Sequence, residues 1–89
     1  MRVELNEADV VWRELEGEVI ILNLATGCYY GLEGSANDMW RLLLQHGTTD
    51  KVNEILADDY EVERDRVTRD VDDLVRRLCD KSILKTAAA

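Results

Sequence analysis

Residues 26–40 read "TGCYYGLEGSANDMW" and contain, in order, a turn, a strand and the start of a helix. Thr26-Gly27 is a turn signal, and the aromatic run of residues 28–33 that follows it favours a strand. A glycine interrupts that run, and Ser35 with Asp38 three residues later resembles the capping box of a helix N-terminus. This stretch therefore predicts the point at which the chain changes from strands to helices.

The residues before this stretch predict two further strands. The runs "VVWREL" (Val10–Leu15) and "EVIILNLA" (residues 18–25) are rich in β-branched residues, and Glu16-Gly17 between them is a hairpin signal. Together with the strand over residues 28–33 they form a three-stranded antiparallel meander, in which the middle strand pairs on both sides.

The third strand of this meander is an edge strand without the usual protection. The first strand carries Arg13, Glu14 and Glu16, which discourage further pairing, whereas the third has no lysine, no proline and one charge at its end. A peptide in extended conformation can add to such an edge, and a second copy of the chain can pair with it in a homodimer. Tyr29 and Tyr30 are also ordinary strand residues that can simply cover the sheet. The residues alone leave these alternatives open.

The rest of the chain predicts three helices. The first ends at Gly47, Thr48 or Thr49 caps a short second helix, and residues 58–63 connect it to a third over about residues 64–81. The expected buried stripes are Ala36, Met39, Trp40, Leu43 and Leu44 in the first helix, Val52, Ile55 and Leu56 in the second, and Val67, Val71, Leu74, Val75 and Leu78 in the third. The predicted fold class is α+β, a three-stranded antiparallel sheet followed by three α-helices, in a single domain over residues 1–89.

Two further expectations concern the third helix and the C-terminal segment. Three pairs at i, i+4 spacing predict ion pairs on the flanks of that helix, namely Asp65 with Arg69, Asp72 with Arg76 and Asp73 with Arg77. Ile83 and Leu84 are expected to return toward the sheet, and residues 87–89 are expected to be frayed.

Composition and charge exclude several classes of protein. With 46% apolar and 34% charged residues, the chain of 89 residues has the composition of a folded globular domain. Its net charge of -8 repels the phosphate backbone, so no nucleic-acid partner is expected. No run approaches the roughly 20 apolar residues of a membrane span, and no signal peptide begins the chain. The sequence predicts a cytoplasmic protein that does not bind membranes.

Residues that could carry chemistry are few and do not form a known arrangement. His46 is predicted at the end of the first helix, without an accompanying nucleophile or carboxylate motif. Asp58-Asp59 and Asp72-Asp73 are neighbours in sequence, which do not face each other as a catalytic pair must. Cys28 and Cys79 form no CxxC and are expected to be free thiols. We therefore expect no enzyme, no cofactor and no metal site.

The ordered set of motifs resembles the PqqD-like proteins, also called precursor-peptide recognition elements of ribosomally synthesised and modified peptides (RiPPs). The resemblance covers about residues 10–84. It rests on Leu22-Asn23, Thr26-Gly27, Tyr29-Tyr30, Leu32, Trp40, Gly47-Thr48, Asp70-Val71, Leu74 and Ile83-Leu84. It implies a winged helix-turn-helix-like fold that does not bind DNA.

In this family the leader segment of a precursor peptide adds as a strand to the third strand and enters a groove beside the third helix. The resemblance therefore implies a non-catalytic leader-peptide-binding protein. The site residues that it implies are Cys28, Tyr29, Tyr30, Gly31 and Leu32 on the strand, and Val67, Asp70, Val71, Leu74, Val75 and Leu78 on the helix.

Within the family, the chain is most similar to the stand-alone leader-binding proteins of lasso-peptide biosynthetic clusters. The implied partners are the precursor peptide and a leader peptidase. The alternative is a PqqD-type peptide chaperone that delivers a precursor to a radical SAM enzyme, or an acidic homodimeric interaction module. The strong negative charge also predicts that a leader with basic residues is attracted at low salt.

Overall fold

The computed structural model describes residues 1–87, which form five strands and three helices. The elements are β1 (Arg2–Leu5), β2 (Val10–Leu15), β3 (Glu18–Asn23), β4 (Tyr29–Leu32), α1 (Ser35–His46), α2 (Thr49–Tyr60), α3 (Arg64–Asp80) and β5 (Leu84–Ala87). The antiparallel order β2-β3-β4 and the three helices after it confirm the predicted α+β class. A second, two-stranded sheet of β1 and β5 was not predicted.

The first hairpin of the meander has the predicted tight turn. Glu16 and Gly17 have φ angles of 50° and 84°, and Leu15 pairs with Glu18 directly beside them. Both central residues thus lie in the left-handed region, which a two-residue hairpin turn with the natural strand twist requires. The Glu16-Gly17 turn therefore fixes the register in which β2 pairs with β3.

The second hairpin has a longer turn than the sequence predicted. β3 ends at Asn23 and β4 begins at Tyr29, so residues 24–28 belong to the turn and Cys28 precedes the strand. Gly27, with a φ of 75°, donates its N–H to the Asn23 carbonyl at 2.8 Å. The turn is wider than expected because the Asn23 side chain also bonds to the backbone inside it.

The first helix ends as predicted but begins differently. Gly47 has a φ of 73° and donates its N–H back to the last turn of α1. At the other end Gly34 occupies the N-cap position and Ser35 is the first helical residue, so the predicted capping box does not form. The Asp38 carboxylate instead accepts a hydrogen bond at 2.8 Å from Arg41 and another from a tyrosine of α2.

The second helix is longer than predicted. Thr48 is its N-cap, and its side chain accepts a hydrogen bond from the Lys51 N–H at 3.4 Å. The helix continues through Tyr60 and ends at Glu61, whose φ is 53°. The predicted connection over residues 58–63 was therefore wrong in its first half, because a break in the apolar pattern does not by itself end a helix.

The third helix has the predicted buried stripe but not the predicted ion pairs. Val67, Val71, Leu74, Val75 and Leu78 are all buried. The ion pairs among residues 1–87 are Arg41 with Glu14 at 3.2 Å, Arg41 with Asp38 at 2.8 Å and Lys51 with Glu54 at 3.9 Å. The acid and arginine side chains of these three pairs on α3 are exposed except for the half-buried Asp72. At such exposed positions solvation and side-chain entropy compete with pairing.

The core lies between the inner face of the meander and the three helices. Its largest fully buried side chain is Trp40, which contacts Trp12 edge to face with ring centroids 5.7 Å apart. Ile83 and Leu84 are buried, but Leu84 pairs with Leu5 of β1, so it does not return to the predicted sheet, the meander.

One of the three C-terminal residues for which fraying was expected, Ala87, belongs to a strand. Ala87 pairs with Arg2 in the two-stranded sheet, so the expected fraying is wrong there. The other two residues for which fraying was expected, Ala88 and Ala89, lie outside the described residues.

Candidate functional site

The outermost strand of the meander, β4, directs half of its backbone groups away from the sheet. The Asn23 N–H donates to the Cys28 carbonyl at 2.9 Å, and in an antiparallel pair every second residue bonds to the same neighbour. Tyr30 and Leu32 therefore bond to β3. The N–H and C=O groups of Tyr29 and Gly31 point outward, where an added strand could pair with them.

A groove of about 260 Å³ runs between this strand and the C-terminal half of α3. Its lining residues are Tyr30, Gly31 and Leu32 on one side and Leu74, Arg77, Leu78, Asp80 and Lys81 on the other. The Lys81 Nζ lies 5.7 Å from the centre of the Tyr30 ring, within the range of a cation–π contact. The groove thus combines an apolar floor with charged groups at its rim.

The buried side chain of Asn23 holds the two walls of this groove together. Its Nδ2 donates to the carbonyls of Lys81 and Ser82 at 3.1 and 3.3 Å, directly after α3. Its Oδ1 accepts from the N–H groups of Ala25 and Thr26 at 2.9 and 3.3 Å, in the turn that leads to β4. One amide therefore fixes the end of α3 relative to the start of the exposed strand.

The structure brings together five of the eleven site residues that the family resemblance implied. Those in the groove are Tyr30, Gly31, Leu32, Leu74 and Leu78. Tyr29 is 73% exposed on the outer face of the sheet, and Cys28 is exposed just before the strand. Val71 and Val75 are buried in the core, and Val67 and Asp70 line a separate hollow near the start of α3. A role of these residues in binding stays a prediction.

Sequence reasoning did not identify the polar residues of the groove. Arg77 and Lys81 are three and seven positions after Leu74, on the same face of α3, so helical periodicity could have indicated both. Asp80 completes the rim. The bonds of Asn23 within its turn had a weak sequence signal, because asparagine after a strand tends to form turns. No local pattern predicted its bonds to the residues that follow α3.

The histidine and the Asp58-Asp59 pair, which could in principle act in catalysis, lie apart from this groove. His46 is the half-buried last residue of α1, and Asp58 and Asp59 are exposed at the end of α2. Among residues 1–87, no group of three or more histidine, cysteine or acidic side chains could hold a metal ion. In the same part of the chain, no helix has the length and apolar character needed to cross a membrane.

The two cysteines are free thiols in different surroundings. Cys28 is exposed beside the start of β4, whereas Cys79 is partly buried on α3. Burial, and to a lesser degree the neighbouring Asp80 carboxylate, raise the pKa of the Cys79 thiol. Cys79 is therefore a poor nucleophile at neutral pH, which fits a packing role.

The fold and the groove define a class of small α+β domain that keeps one sheet edge open beside a helix. A family model described as Coenzyme PQQ synthesis protein D (PqqD) matches residues 18–84. Because that match spans most of the sequence, the chain belongs to the PqqD family. No curated protein matches it.

Two solved structures have the same fold. One, described as TbiB1 in complex with the TbiA(beta) leader peptide, is 30% identical with a TM-score of 0.85, and the match covers 100% of both chains. The other, described as lasso peptide synthetase B1 complexed with the leader peptide, is 24% identical with a TM-score of 0.85 and covers 96% of this chain and 99% of that one. The similarity to lasso-peptide proteins expected from the sequence is thus confirmed.

Proposed function

We propose that this chain is a non-catalytic protein that captures the leader segment of a ribosomally synthesised precursor peptide and presents it to a processing enzyme. The observation that carries the proposal is the outward-facing backbone of Tyr29 and Gly31 beside the groove. An extended leader would add to β4 as a further antiparallel or parallel strand. The processing enzyme of the proposal is a leader peptidase of the lasso type.

The relatives support this proposal. The structural relative at 30% identity, TbiB1, is a complex with a leader peptide, and its whole length matches this chain. The family model supports the same class of function, since the resemblance to this family implies a domain that binds a leader peptide without chemistry of its own.

The geometry of the groove indicates which side chains of such a peptide would contact it. Side chains of a strand alternate between its two faces, so every second leader residue would point into the groove. Those residues would contact Tyr30 and Leu32 on one wall and Leu74 and Leu78 on the other. Backbone bonds would supply sequence-independent affinity, and the apolar floor would select bulky apolar side chains.

Fluorescence polarisation of a labelled leader peptide, taken from a precursor gene identified beside the gene of this protein, tests the proposal. Saturable binding with a Kd in the micromolar range or tighter, roughly -8 kcal/mol or better, is the expected result. Failure to bind at high protein concentration, with the protein folded by circular dichroism, would overturn it. Stimulation of a leader peptidase rather than a radical SAM enzyme would distinguish the lasso type from the quinone type.

The exposed edge of β4 also fits a second copy of the chain. A homodimer that pairs edge to edge would occupy the groups that the leader needs. Sedimentation of the protein with and without saturating leader separates the two possibilities, because leader binding would dissociate such a dimer. A dimer that persists in the leader complex would show that its interface lies elsewhere.

Electrostatic steering gives a separate prediction. The net charge of -8 should attract a leader of net positive charge over about a Debye length, so its association rate should fall at least about threefold from low to physiological salt. Stopped-flow fluorescence measures this rate. A control peptide with its lysines and arginines replaced by glutamine should lose the dependence. A rate that does not respond to salt would exclude steering and leave strand addition intact.

A further inference from the structure

The outer face of the meander, on the side away from the core, is rich in exposed apolar side chains. Val19 and Ile21 of β3 are fully buried on the inner face, so Ile20 and Leu22 point outward. Three large apolar side chains of the outer face are exposed, namely Val11 at 51%, Leu15 at 55% and Tyr29 at 73%. Clustered exposed apolar groups of this kind mark interaction surfaces more often than scattered ones do.

This outer patch is continuous and reaches the open edge of β4. The register places Leu22 between Val11 and Tyr29, and it places Ile20 beside Gly31. A Cβ on Gly31 would meet Ile20 Cδ1 at 3.9 Å, so the isoleucine covers the glycine on this side of the sheet. A strand added beside β4 would direct every second side chain to the same face, next to Tyr29 and Gly31. A bound leader would therefore extend the outer patch by one strand.

The charge and the size of the outer patch indicate the kind of partner that it fits. The charged residues that point outward from the three strands are Arg13 and Glu18, so the patch is neutral on a chain of net charge -8. Three strands of up to six residues cover roughly 14 by 20 Å, or about 300 Å². A stable dimer buries about 800 Å² on each partner, and two copies of this acidic chain also repel each other. The outer patch is therefore too small to hold a second copy and fits a transient partner.

We propose that the outer patch is the surface on which the processing enzyme docks, through an apolar surface of its own, while the leader is bound to β4. The inference rests on the proposed function and names the contact surface of its partner. An enzyme seated on this face lies directly beside the strand-paired leader, because the patch reaches the β4 edge at Tyr29. The small area gives a weak contact, which lets the enzyme leave after it has acted.

Val11→Asp tests this docking surface, because it places a charge on the outer patch two strands from the edge to which the leader adds. The assay uses the precursor and a leader peptidase encoded beside the gene of this protein. The KM of the peptidase for the protein–leader complex should rise at least about tenfold, the loss expected when an apolar contact is replaced by a charge. Its kcat should stay within about twofold, since the change touches no reacting group. Fluorescence polarisation should show an unchanged affinity for the leader.

The matched control is Val62→Asp, which makes the same change at an exposed residue on the connection between α2 and α3 and should leave KM unchanged. Leu15→Asp repeats the test on the outer patch if Val11→Asp does not fold by circular dichroism. A wild-type KM for the folded patch variant would overturn the docking surface. Sedimentation that shows a wild-type dimer dissociated by Val11→Asp would also overturn it, since the patch would then bind a second copy. Failure of the wild-type protein to bind the leader would instead overturn the proposed function.

Discussion

Gly31→Pro should lower the affinity for the leader at least about a hundredfold, the equivalent of roughly 2.7 kcal/mol. The register places the Gly31 N–H on the free side of β4, whereas Tyr30 and Leu32 make the bonds to β3. Proline removes that outward donor, and its ring occupies the space in which the peptide backbone would lie. The bonds that hold β4 in the sheet do not involve the lost group, so the protein should remain folded.

The matched control for this change is Gly31→Ala. A Cβ at this position would meet the nearest side-chain atom, Ile20 Cδ1, at 3.9 Å, which is ordinary van der Waals contact. Alanine keeps the N–H, so binding should stay within about threefold of wild type. Fluorescence polarisation gives both affinities and circular dichroism confirms folding. A folded Gly31→Pro protein that binds like wild type would exclude strand addition at this edge.

The sequence predicted the meander and the third helix well because both depend on local patterns. The β-branched runs on either side of Glu16-Gly17, together with the left-handed pair at that turn, are sufficient to specify a hairpin. The five-residue stripe from Val67 to Leu78 repeats at helical spacing, and every member is buried. These features need only neighbours within a few residues, which a sequence displays directly.

The features that the sequence did not reveal depend on contacts between distant residues. The pairing of β1 with β5 joins the first and last parts of the chain, and four-residue strands carry too little alternation to be recognised. The extra turn of α2 ends near Tyr60, whose hydroxyl bonds to Asp38 on α1. Such tertiary bonds override local propensity and cannot be inferred from spacing.

The candidate site was predicted in part on each of its two elements, since Tyr30, Gly31 and Leu32 line the groove whereas Cys28 and Tyr29 do not. Period-two alternation separates Tyr29 from Tyr30 on opposite faces, as observed. On α3 the whole apolar stripe was assigned to the groove, yet Val71 and Val75 pack into the core while Leu74 and Leu78 also reach the groove. Each residue of a helix is rotated by about 100° from the one before it, so the valine pair and the leucine pair face different directions. Only the position of the sheet decides which pair reaches the groove.

Asn23→Ala should lower the free energy of unfolding by about 2–4 kcal/mol, a large share of the stability of so small a domain. The side chain is 0% exposed and bonds to four backbone groups, in the turn before β4 and after the end of α3. Alanine would leave these groups without their partner. Chemical denaturation measures the loss.

The same substitution should weaken leader binding beyond what lower stability explains, because Asn23 fixes the end of α3, and with it Lys81, relative to β4. Asn37→Ala is the matched control. Asn37 is also buried, but it accepts from the Val19 N–H at 3.1 Å and donates to Gly17, and it bonds neither to the turn before β4 nor to the end of α3. With both variants folded, only Asn23→Ala should lose affinity, by about tenfold. Equal affinities would mean that the groove keeps its shape without this tie, and that Asn23 serves stability alone.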